Sequence, residues 1–172
     1  MKNRTPQPND WRTPPEFYNK RNKLHEFGQD PCPWMHDLNE WDGLVIPWDY
    51  HVFVNPPYSL KEKTEFVKKG ISEMKKGKYI EFLLPVSLST ALWHDTIKPN
   101  MTYWFEHRGR LRFIGVNKKG QKVNYDLINE WSNETIVHNG KTLPLYIKGA
   151  GQMDTMTVVF DGRDKKKWYK IL

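Results

Sequence analysis

The sequence predicts an α/β domain with a mainly parallel sheet and an antiparallel pair of strands at one edge. Three observations carry this. Short apolar runs of strand character alternate with longer helical stretches. The early strands end in proline-stiffened turns, as at Asp30-Pro31-Cys32-Pro33 and Asn55-Pro56-Pro57-Tyr58. The pieces at 101–113 and 155–160 have too little helix signal between them for a parallel crossover, which points to antiparallel pairing.

Taken in order, residues 1–10 are polar and read as a flexible lead-in. Thr13 is expected to cap a helix whose first turn takes Pro14, Pro15 and Glu16 and which runs through Phe17, Tyr18 and Leu24. A short strand is expected from His25 to Gln29, then an irregular connection from Met35 to Pro47. His51 to Val54 is a buried strand that stops where two prolines fix two φ angles and remove two backbone donors. Lys61 to Lys76 is an amphipathic helix with Phe66, Gly70, Ile71 and Met74 on one side. Lys78 to Val86 is a strand, and Ser89 or Thr90 caps a helix that stops at Pro99. Met101 to Phe105 is a strand, and alternation of Arg108, Arg110 and Arg112 with Gly109, Leu111 and Phe113 extends it as a basic edge. Residues 115–148 read as hairpins or an irregular insert, Thr155 to Phe160 as a last strand, and 164–172 as a charged tail. One domain, 11–163, is expected.

Composition narrows the partners. A chain of 172 residues carries a formal charge of +7, which favours a polyanion, nucleic acid first. A single cysteine, Cys32, rules out an internal disulfide and a cysteine-built zinc site, and the histidines show no ligand spacing, so no metal is expected. No apolar stretch has membrane-spanning length and no signal core opens the chain, so a reducing, cytoplasmic setting is the default.

The most informative residues are Asn55, Pro56, Pro57 and Tyr58. At the C-terminal edge of a strand, where open α/β sheets hold ligands, they fix an amide, bare carbonyls and an aromatic ring in one corner. The Asn55 side-chain oxygen and the Pro56 carbonyl can both accept from one amino group, and Tyr58 can stack on the ring that bears it.

Here the chain resembles a family. Thr13-Pro14-Pro15, Asp30-Pro31-Cys32-Pro33, Asp42-Gly43-Leu44, Asn55-Pro56-Pro57-Tyr58-Ser59, Leu83-Leu84-Pro85, Gly109-Arg110-Leu111-Arg112-Phe113 and Val158-Val159-Phe160 stand in the order seen in phage-encoded DNA N-6-adenine methyltransferases. The resemblance implies an abbreviated Rossmann-like methyltransferase fold, S-adenosylmethionine as methyl donor and adenine in DNA as acceptor. It implies catalysis at Asn55, Pro56, Pro57 and Tyr58, and donor contacts from Trp11, Thr13, Pro14, Asp30, Cys32 and Asp42. Asp30 would hold the donor's ammonium group, and Asp42 its ribose or adenine, although Asp42-Gly43 also reads as a simple turn. Arg108, Arg110, Arg112, Lys118, Lys119 and Lys122 are the candidate phosphate contacts; their plain alternative is a solvated strand edge.

Two departures stand out. No Gly-x-Gly loop follows the first strand, and only 24 residues lie between Asp30 and Asn55, where a full strand–helix–strand unit takes about thirty. Asn-Pro-Pro-Tyr also serves methyltransferases of RNA bases and of a glutamine side chain. A catalytically inactive nucleic-acid-binding phage protein is the non-enzyme alternative.

Overall fold

The computed structural model describes residues 11–34, 39, 41–125, 133–149 and 153–163; the expected lead-in at 1–10 and tail at 164–172 lie outside them. In chain order the elements are β1 (Trp11–Arg12), α1 (Pro15–His25), β2 (His51–Val54), α2 (Leu60–Met74), β3 (Tyr79–Pro85), a π-helical segment (Leu92–Ile97), β4 (Tyr103–Glu106), β5 (Ile114–Val116), β6 (Lys122–Val123), β7 (Thr135–His138), β8 (Lys141–Pro144), β9 (Tyr146–Ile147) and β10 (Thr155–Asp161).

The fold is mixed α/β. Its central sheet has the order β2-β3-β10-β4. β2 and β3 are parallel, joined by α2, while β10 is antiparallel to both β3 and β4. The expected antiparallel pair of β4 and β10 is present, but β10 lies inside the sheet and only β4 is an edge. Residues 155–160 are all buried, and both hydrogen-bonding edges of β10 are used, one by β3 and one by β4.

Period-two alternation divides the sheet's side chains between two helical layers. Val52, Val54, Ile80, Phe82, Leu84, Met156, Val158 and Phe160 pack with Phe66, Val67, Ile71 and Met74 of α2 and with Leu92, Trp93 and Ile97. Phe53, Tyr79, Leu83 and Val159 face the other way, against Phe27 and the Phe17 and Tyr18 rings of α1. This second layer also holds a charge. Glu81 is fully buried, and Arg21 grips it with two bonds of 2.6 and 2.7 Å while the Tyr79 hydroxyl donates at 3.1 Å.

Three local expectations are corrected. Thr13 does not cap α1; Pro14 occupies that position, with no side-chain cap bond. Two consecutive prolines remove N–H groups that a cap would have satisfied. The strand expected at His25 to Gln29 is reduced to one parallel bridge, Gln29 to Val52, because α1 runs to His25 and reverses through Glu26 in the left-handed region (φ +49°). The arginine run is not a strand: residues 107–113 are irregular, and Gly109, at φ +77°, breaks the extension that alternation suggests. The helix expected after Ser89 or Thr90 is π-helical, with Thr90 Oγ1 accepting from the Trp93 N–H at 3.3 Å and the Lys98 N–H donating to the Trp93 carbonyl.

A second sheet, β1-β5-β6-β9, and a separate β7–β8 ribbon account for the hairpins expected at 115–148. Asn124, buried at φ +57°, ties this sheet together. Its amide donates to the Phe113 and Gly149 carbonyls and accepts from the Gly149 N–H, at 3.0 to 3.1 Å.

Candidate active site

Asp30 and Asn55 reach the same edge of the central sheet because the segment before Asp30 runs parallel to β2. Gly28 N–H donates to the His51 carbonyl and Phe53 N–H to the Gln29 carbonyl. Both chains then leave through prolines. After Asn55, Ser59 caps α2 by accepting the Glu62 N–H, and its hydroxyl donates to the Glu62 carboxylate at 2.5 Å. This Ser-x-x-Glu cap, closed through the serine hydroxyl, pins the far end of the Asn-Pro-Pro-Tyr corner.

Between these edges lies a cavity of about 350 Å³ lined by Trp11, Thr13, Asp30, Cys32, Trp34 and Asn55 among others. Its size falls within the range of small-molecule sites. The second sheet supplies one wall, since Trp11 and Arg12 form β1. Asn55 is oriented at both ends of its amide. Its Nδ2 donates to the Trp11 carbonyl at 3.2 Å, and its Oδ1 accepts the Tyr58 hydroxyl at 2.8 Å. One lone pair of Oδ1 therefore remains for a further donor. The Tyr58 ring meets Phe113 edge-on, and burial holds its hydroxyl protonated far above the ordinary range.

Asp30 is the cavity's acid. Burial pushes its carboxyl up to about 7, and the Cys32 N–H, donating to Oδ1 at 2.8 Å, opposes that rise only in part. A cation placed beside it would restore the ionised form. The Trp34 indole N–H is buried with no hydrogen-bond partner among the described residues, and Arg12 lies 5.6 Å over the Trp34 ring. Aromatic walls, one carboxylate, a hydroxyl and an amide make a donor set that fits S-adenosylmethionine, a cation carrying an ammonium group and a nucleoside.

Of the six residues expected at the donor, Trp11, Thr13, Asp30 and Cys32 line this cavity and Pro14 and Asp42 do not. Pro14 is buried behind the start of α1. Asp42 shapes a turn: its Oδ1 accepts the Leu44 N–H at 2.8 Å, and Lys69 Nζ caps the Leu44 and Ile46 carbonyls. That turn presses on the site from behind, for a Cβ on Gly43 would stand 2.1 Å from the Pro31 carbonyl oxygen. Sequence reasoning missed Arg12, Pro15, Tyr18, Asn19, Pro33 and Trp34. Pro15, Tyr18 and Asn19 stand three and four residues apart, one face of α1, and that spacing was the available signal.

Among the basic candidates, Arg108, Arg110, Arg112, Lys118 and Lys119 are exposed. Arg110 pairs with the exposed Asp154 at 3.0 Å. Lys122 is half-buried, with its ammonium over the Tyr125 and Tyr146 rings at 5.4 and 5.0 Å.

No helix of the described residues is long and apolar enough to cross a membrane. A family model described as DNA N-6-adenine-methyltransferase (Dam) matches residues 2–128. No curated protein and no solved structure matches the chain. The chain therefore belongs to the DNA N-6-adenine-methyltransferase family, enzymes that transfer a methyl group from S-adenosylmethionine to the exocyclic amino group of adenine in DNA.

Proposed function

We propose that this methyl transfer takes place at the Asn55-Pro56-Pro57-Tyr58 corner, with the donor in the cavity lined by Trp11, Thr13, Asp30 and Cys32. The observation that carries the reading is the shared sheet edge: the twice-anchored Asn55 amide and the Asp30 carboxylate line one cavity.

When bound, S-adenosylmethionine supplies a methyl group activated by its positive sulfur. The residues do the rest. Adenine's amino nitrogen is a weak nucleophile because its lone pair is spread into the ring. Asn55 Oδ1 and the Pro56 carbonyl accept its two N–H bonds, which favours a pyramidal nitrogen and returns the lone pair for attack. Aimed acceptors of this kind lower the barrier by electrostatic preorganisation, and holding the partners in line contributes up to about 7–11 kcal/mol. Pro56 and Pro57 stiffen the corner, and Tyr58 both orients Asn55 and offers its ring to a base extruded from the duplex. Asp30 holds the donor's ammonium. Pro14 and Asp42 act from outside the cavity, by supporting α1 and the turn behind Pro31. Cys32 packs beside the donor and forms no covalent bond to it.

The same reading assigns residues 11–163 to one catalytic domain with an abbreviated Rossmann-like methyltransferase sheet. Its support is direction: β2, β3 and β4 run one way, and β10 alone is reversed. DNA phosphates meet Arg108, Arg110, Arg112, Lys118, Lys119 and Lys122. A phosphate would replace Asp154 as the partner of Arg110.

Incubation with labelled donor and unmodified DNA, followed by nucleoside mass spectrometry, tests the site. Wild type should yield N6-methyladenine. Asn55→Ala should yield none while binding the donor within about threefold of wild type; near-normal product from that variant removes the catalytic assignment.

A further inference from the structure

The β7–β8 ribbon lies beyond the family match at residues 2–128, and the catalytic corner does not use it. Its strands pair Thr135 with Pro144, Ile136 with Leu143, Val137 with Thr142 and His138 with Lys141. They turn through Asn139 and Gly140, at φ +50° and +74°, the two-residue left-handed turn whose twist matches a ribbon. The two faces differ. Ile136, His138 and Leu143 are half-buried, and Ile136 packs toward Gly120 on the β5–β6 turn. Thr135, Val137, Thr142 and Pro144 are exposed on the other face, Val137 by 75%.

The ribbon is fastened to the second sheet. Leu145 N–H donates to the Glu134 carbonyl at 2.8 Å, Gln121 Nε2 to the Pro144 carbonyl at 2.9 Å and Lys122 N–H to the Leu145 carbonyl at 2.6 Å. β9, next in the chain, joins β6 in the sheet whose far strand is β1. Trp11 and Arg12 of β1 line the donor cavity. Three strand spacings separate β1 from β9, roughly 14 Å.

Building on the DNA-methylating reading above, we propose that the outward face of the β7–β8 ribbon enters the major groove beside the target adenine and reads the neighbouring bases. The major groove, about 12 Å wide, admits a two-stranded ribbon. The methyl groups of Thr135, Val137 and Thr142 suit the thymine C5-methyl, and the two hydroxyls suit base-edge donors and acceptors. Charge agrees with the partner. Lys118 and Lys119 are exposed on the adjoining turn, Lys141 stands at the ribbon tip and Lys148 follows it; with Lys122 they number five against Asp126, Glu130 and Glu134 in the same stretch of sequence.

The test uses the full chain, as wild type, as Thr135→Ala/Val137→Ala/Thr142→Ala and as Lys118→Gln/Lys119→Gln. Methylation of a duplex library randomised around adenine is read by sequencing, with DNA affinity over a salt series, donor affinity by calorimetry and mass by light scattering. The triple variant should lose flanking-base preference and about tenfold in kcat/KM on the preferred site, with donor affinity unchanged. The lysine pair should weaken binding to all sequences alike and reduce the salt slope by about 2. A triple variant with wild-type preference and kcat/KM overturns the proposal. So does a wild-type dimer that the triple variant converts to monomer, which would make the ribbon a self-association surface. If wild type forms no N6-methyladenine, the site assignment fails instead, and base preference in binding still decides the ribbon.

Discussion

Asn55 shows how little freedom the amide proposed for catalysis has: one bond to the Trp11 carbonyl, one from the Tyr58 hydroxyl. Tyr58→Phe keeps the ring and removes the second bond. It is expected to lower kcat by about fivefold, the loss of one hydrogen bond of ~1 kcal/mol, with donor affinity unchanged; steady-state kinetics and donor calorimetry separate the two. Equal kcat would mean that only the ring matters. Asp30 makes a pH prediction. Its folded-state carboxyl is raised from the ordinary 3.8 to about 7, so the folded chain binds a proton that the unfolded chain has released. Its contribution to stability is full below pH 4 and is lost as pH rises through 7. The donor needs the ionised form, so donor affinity should climb up to about pH 7 and then level off. Asp30→Asn should therefore melt higher than wild type at pH 8 and bind the donor more weakly there. Thermal denaturation and calorimetry at pH 6 and 8 check both signs.

The elements around these residues are held by close approach and by ion pairs at buried carboxylates, Glu81 foremost. Arg21→Ala strips the fully buried Glu81 of its two guanidinium bonds and leaves it the Tyr79 hydroxyl and His25, 3.8 Å away; losing one partner of a buried pair costs about 3–5 kcal/mol. A much lower melting temperature is expected, with Arg21→Ala/Glu81→Gln partly restored. Gly43→Ala drives a methyl into the Pro31 carbonyl. It should displace the Asp30–Pro33 segment and weaken donor binding without moving the Asn55 side of the site, as calorimetry and DNA affinity would report. Such contacts also mark the limit of the sequence. β2, α2 and β3 were legible because apolar period and caps are local properties. The Asn139-Gly140 dipeptide carries a turn signal of the same local kind. The arginine alternation misled because an exposed loop and a strand edge share period two, and only Gly109 distinguished them. Trp11 was expected at the donor, but its bond to Asn55 crosses 44 positions from a two-residue strand. No local pattern encodes a pairing of that kind. The placement of β10 between β3 and β4 was hidden likewise, since strand order is set by long-range packing.

At the scale of the molecule, the formal charge of +7 predicts that DNA affinity falls steeply with salt. Each lysine or arginine that truly meets a phosphate should, when replaced by glutamine, reduce the slope of log affinity against log salt by about 0.9. Arg108, Arg110 and Arg112 can be ranked this way one at a time; a residue whose replacement leaves the slope unchanged is not a phosphate contact. Lys122, already engaged with two tyrosine rings, is expected to contribute least. The burial of β10 has a consequence for how the protein is made. Residues 155–161 join β3 to β4, so a ribosome that has synthesised everything up to residue 154 has produced both Asn55 and Asp30 but not the strand that closes the sheet beneath them. Until β10 is made and docks, the facing edges of β3 and β4 stay unpaired. The enzyme should therefore acquire its activity in a single late step, and translation arrested just short of that point should yield an aggregating, inert nascent chain.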